Sequence, residues 1–426
     1  MNTSKEADII LKLFNNEMIA GRYTQDIDQT FTKKIAHAVY SVFESNSMCF
    51  IIGKDTRTGC EQLEKVLSEE LKKLGAKVIL VSVATSASLS FATKYYRATA
   101  SIMITGSSKP FDIIGFKIFN GNGYAISDEQ LSKIEHLHKN NFVQKEKDGG
   151  QIIKDEKFIG TYIKHLKKYF KTEKYSSSLY LDVTHGSGSV VAKKLFQDVV
   201  SCEIVNANFD GNNINNTNIF NCVNGYDFTV WFDGDCDKLK IINKNGKVIE
   251  GDFLLCFFAK VKKHKKVVSN LFTNNSYFNY LEKNKIEVEL CGLGEKRIQE
   301  KMLETNSRFG ADKFGSVVSF DNAETSDAFL ILIEFLNMVE KYPEIYEKIC
   351  NLKLVPQTIK KVALNQTKLK SDQFLNVLNA YESLLENYGK IIVRQDKLRN
   401  QVSVFVECPN KDLCDKICNN LISLLG

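Results

Sequence analysis

Apolar and polar positions along this chain follow two rhythms, one of strand length and one of helix period, and the two take turns. "MCFIIGKDT" opens on an apolar run, Met48 to Ile52, the pattern of a strand covered on both faces. "GCEQLEKVLSEELKKLGA" then places apolar residues three and four apart and stops at a glycine, which predicts an amphipathic helix with a C-terminal glycine. "KVILVSV" reads as strand, "SLSFATKYYR" as helix and "ATASIMIT" as strand. Strand, helix and strand at these lengths predict right-handed crossovers and a largely parallel sheet. The charged stretch "HKNNFVQKEKDGGQ" marks a boundary near residues 139–151.

The pattern then restarts. "SLYLDVT", the helix "GSGSVVAKKLFQDV", "SCEIVNAN" and "DFTVWF" make a second unit. A third holds the helix "GDFLLCFFAKVKK", the strand "VVSNLFT", the segment "IEVELCGLG", the helix "EKRIQEKMLET" and the strand "GSVVSFD". The long apolar-faced helix "ETSDAFLILIEFLNMVEKY" closes it. From about residue 352 a smaller region carries the strand pair "KIIVRQ" and "QVSVFVEC" and a terminal helix, "KDLCDKICNNLISLL". The fold class expected is α/β, with three similar α/β domains of mixed, mostly parallel sheets and a smaller C-terminal α+β domain. The domains are expected at 1–145, 150–242, 243–346 and 352–426.

Composition narrows the function classes. With 43% hydrophobic and 25% charged residues and only 4 prolines among 426, the chain has the make-up of a folded protein. A net charge of +6 suits anionic ligands, but no dense basic and aromatic stripe points to nucleic acid. The most basic run, "KVKKHKK" at Lys260–Lys266, reads as a solvated face. Eleven cysteines without a C-x-x-C pair point to reduced thiols, with Cys414 and Cys418 one helical turn apart and core-facing. "MNTSKEADIILKLF" does not read as a signal peptide, and no stretch approaches the ~20 apolar residues of a membrane span. The expectation is a cytoplasmic protein with no membrane partner.

Two stretches are candidates for chemistry. In "VWFDGDCDKLKII", Asp233, Asp235 and Asp237 follow an apolar run at alternating positions. Three carboxylates so close repel one another unless a cation sits among them, and oxygen ligands that leave room for water or phosphate favour Mg²⁺. An acidic surface turn after a strand is the other reading, and the stretch alone leaves both open. "TGSSKP", from Thr105 to Pro110, reads on its own as a turn, since no nearby histidine or carboxylate would activate a serine. A phosphoryl group on Ser107 changes the requirement. The serine then acts as a carrier and needs cations beside it, for which Lys109 and Lys117 are candidates.

At this point the residues resemble a family. "IMITGSSKPFDIIGFKIF" is similar to the active-serine loop of the α-D-phosphohexomutases, T-[AG]-S-H-N-P followed by N-G-[FI]-K, and "FDGDCDK" resembles their D-G-D-G-D-R metal loop. "IIGKDTR" is similar to G-x-D-x-R, "NFDGNNINN" to D-G-x-F-P-N, and "GLGEKRIQEKM" to the V-G-D/E-[RK] helix start. "FGADKFGSVVSFDNAETSDA" stands where the sugar-recognition loop G-[AG]-E-x-S-G-H would be, and "IIVRQDKLRNQVSVFVE" where R-x-S-G-T-E-x-x-x-R-V-x-V-E would be. The matches run in order over essentially the whole chain and imply four domains around a central cleft.

The resemblance implies a phosphohexomutase, an isomerase moving a phosphoryl group between C1 and C6 of a hexose or hexosamine phosphate. Ser107 would carry the phosphoryl group, and a bisphosphate intermediate would turn over in the site. Asp233, Asp235 and Asp237, with Ser107, would hold Mg²⁺, and Lys117 would assist proton transfer or neutralise charge. Substrate contacts would fall to Lys238, Asp312, Ser316 and Arg394. Partners implied are the sugar phosphate and its bisphosphate, in a monomer or homodimer.

The departures bear on the same loops. Ser108-Lys109 replaces His-Asn, and Ala20 stands for an N-terminal arginine, with Arg22 two residues on. In the sugar loop Asp312, Phe314 and Ser316 stand for Glu, Ser and His. Asp396-Lys397-Leu398, flanked by Arg399, replaces S-G-T, and Ser403 replaces the second arginine. These losses motivate an alternative, a degenerate paralogue with a binding or regulatory role. A third reading is hydrolysis or transfer on an altered substrate.

Overall fold

The computed structural model describes residues 13–15, 18–45, 47–216, 221–386, 388–396 and 400–426, with the Asp396 side chain excepted. Lys397, Leu398 and Arg399, and most of the N-terminal stretch, lie outside the described residues. Two units result: one runs to Leu271 and resumes at Asn284–Cys350, and the other joins Phe272–Lys283 to Asn351–Gly426. The architecture is mixed α/β, with sheets of mostly parallel strands in the first unit.

The first sheet has the order β1-β5-β4-β2-β3-β6, with β1 Ile19–Arg22, β2 Cys49–Lys54, β3 Lys77–Val83, β4 Ala100–Ile104, β5 Ile113–Asn120 and β6 Gln151–Lys154. β4, β2, β3 and β6 are parallel, and β5 turns back antiparallel to β4. The apolar runs of β2 and β4 are buried because helices cover the sheet, among them Gln29–Val42, Cys60–Lys73 and Ser86–Tyr95. Local chemistry sets their ends: Asp28 accepts the Phe31 N–H at 2.7 Å, and Thr85 and Ser88 form a reciprocal capping box.

The second sheet runs β11-β10-β9-β7-β8, from β7 Ser178–Asp182, β8 Ser201–Val205, β9 Phe228–Phe232, β10 Leu239–Asn243 and β11 Val248–Ile249. "GSGSVVAKKLFQDV" is not the single helix its pattern predicts. A short 3₁₀ turn, Ser187–Val190, precedes a five-residue helix, Ala192–Phe196. The Ser187 N–H and hydroxyl both donate to the Gly234 carbonyl, which fixes this backbone to the loop after β9 instead of to a helical turn. The third sheet, β13-β12-β14-β15, comprises β12 Lys266–Ser269, β13 Glu287–Leu290, β14 Phe309–Ala311 and β15 Val317–Ser319. The closing helix begins only at Ala328, where the Asp327 carboxylate caps it and also accepts the Tyr162 hydroxyl at 2.7 Å. Residues 260–266 are not one helical face, because the helix stops at Lys262 and β12 begins at Lys266. Lys262 pairs with Glu334 and Lys266 with Glu289, while Lys260, Lys263 and Lys265 are exposed, as a solvated stretch would be.

The second unit is an antiparallel sheet, β16-β18-β17, from β16 Gln357–Ala363, β17 Lys390–Asp396 and β18 Gln401–Glu407. The helices Asp372–Leu385 and Lys411–Leu425 belong to it, and Cys414 and Cys418 are both buried in its core. The predicted pair β17 and β18 is present. β16 carries lysines at 360 and 361 on exposed positions and shows no apolar alternation to announce it. Among the described residues, no helix is long and apolar enough to cross a membrane.

One buried group gives the first unit a pH dependence. His138 packs against Phe31 and Phe14 at ring-centroid distances of 4.4 and 5.6 Å, and neither ring nitrogen has a partner among the described residues. Burial, reinforced by Lys34 and Lys139, lowers it from 6.5 to about 4. The unfolded chain therefore binds this proton at a pH where the folded chain does not, so its contribution is complete above 6.5 and lost as pH falls toward 4. His138→Leu is expected to flatten the fall in the urea midpoint across that window. An unchanged slope would show that other groups carry it.

Candidate active site

β4 and β9 each run parallel to a central neighbour and end beside one another's loops, and loops at strand C-termini are where α/β sheets gather ligands. Ser107, in the loop after β4, has φ of 52°, a left-handed conformation that is uncommon for serine. Its hydroxyl donates to Asp233 Oδ2 at 3.0 Å and lies 3.5 Å from Asp237 Oδ1. In the loop after β9, the Asp233 Oδ1 atom accepts the N–H groups of Asp237 and Lys238, each at 3.1 Å, and Cys236 takes φ of 55°. That turn gathers the three aspartates: all are buried, with one oxygen of each within 4.8 Å of the others.

Two ammonium groups face them. Lys117 sits on β5 opposite Met103, donates to Asp235 Oδ2 at 2.6 Å and pairs with Asp237. Lys238 donates to Asp237 Oδ1 at 2.9 Å and to the Ser107 hydroxyl oxygen at 3.4 Å. Ser86, first residue of its helix, donates its hydroxyl to Asp235 Oδ2 at 2.5 Å and its N–H to the Asp235 carbonyl at 3.0 Å. Burial, then the charges of Asp237 and Asp235, push the Asp233 carboxyl well up. Burial also opposes charge on Asp237, but Lys117 and Lys238 outweigh it and hold that carboxyl below the usual range. Burial disfavours the Lys117 charge as well, yet Asp235 and Asp237 overcome it and raise its value.

Two cations thus face three carboxylates, so with all three ionised the cluster is one positive charge short, and without a further cation Asp233 is the carboxyl pushed toward its neutral form. Asp235 Oδ1 is buried with no partner among the described residues. An orphaned carboxylate oxygen amid other hard oxygen donors fits a divalent cation.

A cleft opens beside the cluster, lined in part by Ser86, Lys117, Lys238, Glu295 and Lys296. Glu295 Oε1 accepts the Ser326 N–H and the Gln299 side chain, each at 2.7 Å, and also the Thr325 hydroxyl. Burial and the nearby Asp237 push Glu295 up to about 7 against the pull of Lys117 and Lys238.

The remaining predicted residues are placed differently. Asp312 is buried, and its Oδ1 accepts the N–H groups of Phe314 and Ser316 at 2.9 and 3.1 Å, so its carboxylate shapes its own turn. Ser316 pairs its backbone with Lys238, which sets that turn against the metal-type loop, and Phe314 stands 46% exposed on it. Arg394 is exposed on β17 opposite Ser403, in the second unit. Arg22 is exposed at the end of β1, Ser108 is exposed beside Ser107, and the Lys109 ammonium meets Met18 Sδ at 3.2 Å.

Residues 11–145 match a family model described as phosphoglucomutase/phosphomannomutase, alpha/beta/alpha domain I, and residues 250–353 match domain III of the same family. The chain belongs to the α-D-phosphohexomutase superfamily. Within that superfamily it is 25% identical to a phosphoglucosamine mutase of Clostridium kluyveri over 97% of this chain and 98% of that one. It is 28% identical to a phosphoglucosamine mutase of Anoxybacillus flavithermus over 88% and 89%. A phosphoglucomutase/phosphomannomutase family protein of Burkholderia thailandensis has the same fold, with a TM-score of 0.80 at 18% identity over 97% of both chains. Aspergillus fumigatus N-acetylphosphoglucosamine mutase, solved in complex with GlcNAc-6P and magnesium, aligns with a TM-score of 0.67 at 11% identity over 100% of this chain and 99% of that one.

As a superfamily member the chain brings Ser107, Lys117, Asp233, Asp235, Asp237 and Lys238 together, and adds Ser86, Glu295, Arg57 and Asn215, which sequence reasoning did not single out. Arg57, Asn215 and Glu295 stand in segments that resemble the family's, while Ser86 has only its place at a helix start as a signal.

The charge balance is testable. In Lys117→Met the cluster loses a buried partner, which costs roughly 3–5 kcal/mol when no other cation is present. With chelator the variant is expected to melt below the wild type, and millimolar Mg²⁺ to raise its Tm more than it raises the wild-type Tm. If Mg²⁺ shifts neither protein, the aspartates do not hold a cation.

Proposed function

We propose that this chain is a Mg²⁺-dependent phosphohexomutase that moves a phosphoryl group within a hexose or hexosamine phosphate through a phosphoserine at Ser107. The observation that carries the reading is the Ser107 hydroxyl held 3.0 Å from Asp233 and 3.4 Å from the Lys238 ammonium, beside three buried carboxylates. Relatives over nearly the whole chain carry the name phosphoglucosamine mutase, so glucosamine phosphate is the first substrate to test.

From phosphorylated Ser107 the Oγ–P bond breaks, and a new P–O bond forms to a free sugar hydroxyl whose proton must leave. The bisphosphate turns over in the site and returns its other phosphoryl group to Ser107. Asp233, Asp235 and Asp237 would hold magnesium, which when bound would supply charge neutralisation to the phosphoryl group. Lys238 adds a second positive charge at the serine oxygen. Lys117 is held protonated by Asp235 and Asp237, which supports a neutralising role over that of a base. Glu295, pushed up to about 7, is the cleft carboxyl suited to exchange the sugar hydroxyl's proton near neutral pH.

The degenerate-paralogue alternative is not favoured: the serine, the aspartates and both lysines are assembled, and the named relatives are enzymes. The altered loops bear on which sugar is accepted. Incubation with glucose 1,6-bisphosphate is expected to add one phosphate to the peptide containing Ser107. The protein should then interconvert glucosamine 6- and 1-phosphate with Mg²⁺, and Ser107→Ala should lower turnover at least about 10³-fold. An unphosphorylated Ser107 together with no turnover of glucosamine, glucose or mannose phosphates would remove the mutase reading. Full activity in Ser107→Ala would remove the serine alone.

A further inference from the structure

Ser107 keeps its left-handed backbone although that conformation is costly for a residue with a side chain. What holds it is found at the carbonyls of Ser107 and Lys109. Arg57 Nη2 donates to both at 2.8 Å, and Asn215 Nδ2 donates to the same two at 2.6 and 2.8 Å. Arg57 comes from the loop after β2 in the first sheet, and Asn215 from the segment preceding β9 in the second. Donors from two sheets therefore converge on one pair of acceptors.

Arg57 is itself pinned. Its guanidinium pairs with Asp55, whose Oδ1 accepts the Arg57 N–H at 2.9 Å and whose Oδ2 accepts the Thr105 hydroxyl at 2.7 Å. Thr105 Oγ1 in turn accepts the Ser107 N–H at 2.8 Å, closing a ring of bonds around the serine. The guanidinium is also wedged between two glycines. A Cβ on Gly106 would lie 2.8 Å from its Cζ, and a Cβ on Gly234 would lie 3.0 Å from its Nη1 and 3.1 Å from the Ser107 carbonyl. The flat group thus fills a slot between the serine loop and the aspartate loop, and its side chain is fully buried.

We propose that Arg57 and Asn215 form a positioning clamp that sets the distance between the Ser107 hydroxyl and the Asp233–Asp237 loop. Its consequence for catalysis rests on the phosphoryl-transfer reading; its consequence for the loop does not. Lysine cannot replace Arg57, because a point charge cannot reach two carbonyls and Asp55 from one plane. A misplacement of about 1 Å at a reacting group costs on the order of 10²-fold in rate.

The test compares full-length wild type, Arg57→Lys, Asn215→Ala and the double variant, with Tm as a check on folding. Hydrogen exchange of the peptide spanning 105–112 is expected to speed up in each single variant and most in the double. With glucosamine phosphate, kcat is expected to fall about 10- to 100-fold in each single variant while KM stays within about 2-fold. The clamp is overturned if exchange in the double variant matches the wild type, or if activity is lost only in step with Tm or only through KM. Should the wild type leave Ser107 unphosphorylated and turn over none of glucosamine, glucose or mannose phosphates while exchange responds as stated, the clamp stands and the mutase reading falls.

Discussion

Three carboxylates within five residues of chain, all buried beside one serine hydroxyl, are the constraint to which the rest of the first unit answers. Burying even one unpaired carboxylate is expensive, and three together add mutual repulsion. The fold answers with positive charge from two directions. Lys117 arrives on a strand of the first sheet, and Lys238 follows the aspartates on their own loop. A hydroxyl from a third element, Ser86, takes one oxygen of Asp235, and the other oxygen has no partner among the described residues. With all three carboxylates ionised the cluster is under-neutralised by its own side chains, which is the condition for binding a further cation.

The same constraint explains why the serine loop is so heavily bonded. A hydroxyl directed into a nest of carboxylates cannot be left to find its own geometry, because solvent would compete for each hydrogen bond. The Ser107 hydroxyl faces the aspartates, while its N–H and carbonyl face Thr105, Arg57 and Asn215. The loop's strain is thus balanced by bonds on the side away from the reacting atom.

Much of this was legible in the sequence, and the line falls where locality ends. The alternation of apolar strands with amphipathic helices announced the parallel strands, because each pattern is contained within its own segment. Ser107 and the three aspartates were legible because their motifs are short and ordered. Ser86 was not, since its bond to Asp235 spans 149 residues, and Asn215 reaches the Ser107 carbonyl across 108. The broken helix at 187–196 was misread because its first backbone and hydroxyl donors are spent on Gly234, a contact that no local pattern encodes. β16 escaped because its exposed lysines hide the alternation that its pairing to β18 would otherwise show.

Lys238 shows how a departure from the family pattern can be read physically. An arginine offers a planar fork suited to two parallel acceptors, whereas lysine is a point charge with three rotatable donors. Here the acceptors are not parallel: Asp237 Oδ1 and the Ser107 oxygen lie at 2.9 and 3.4 Å, with Asp233 Oδ2 at 4.0 Å. Three oxygens around one point suit an ammonium, and the neighbouring Ser316 backbone fixes where the lysine stem begins. Lysine at this position therefore keeps a positive charge at the Ser107 hydroxyl and gives up the planar fork of arginine. Asp312 likewise turns inward to hold its own loop, with Phe314 exposed beside it, so the departures gather in the turn paired with Lys238 while the serine, the aspartates and both lysines stay assembled.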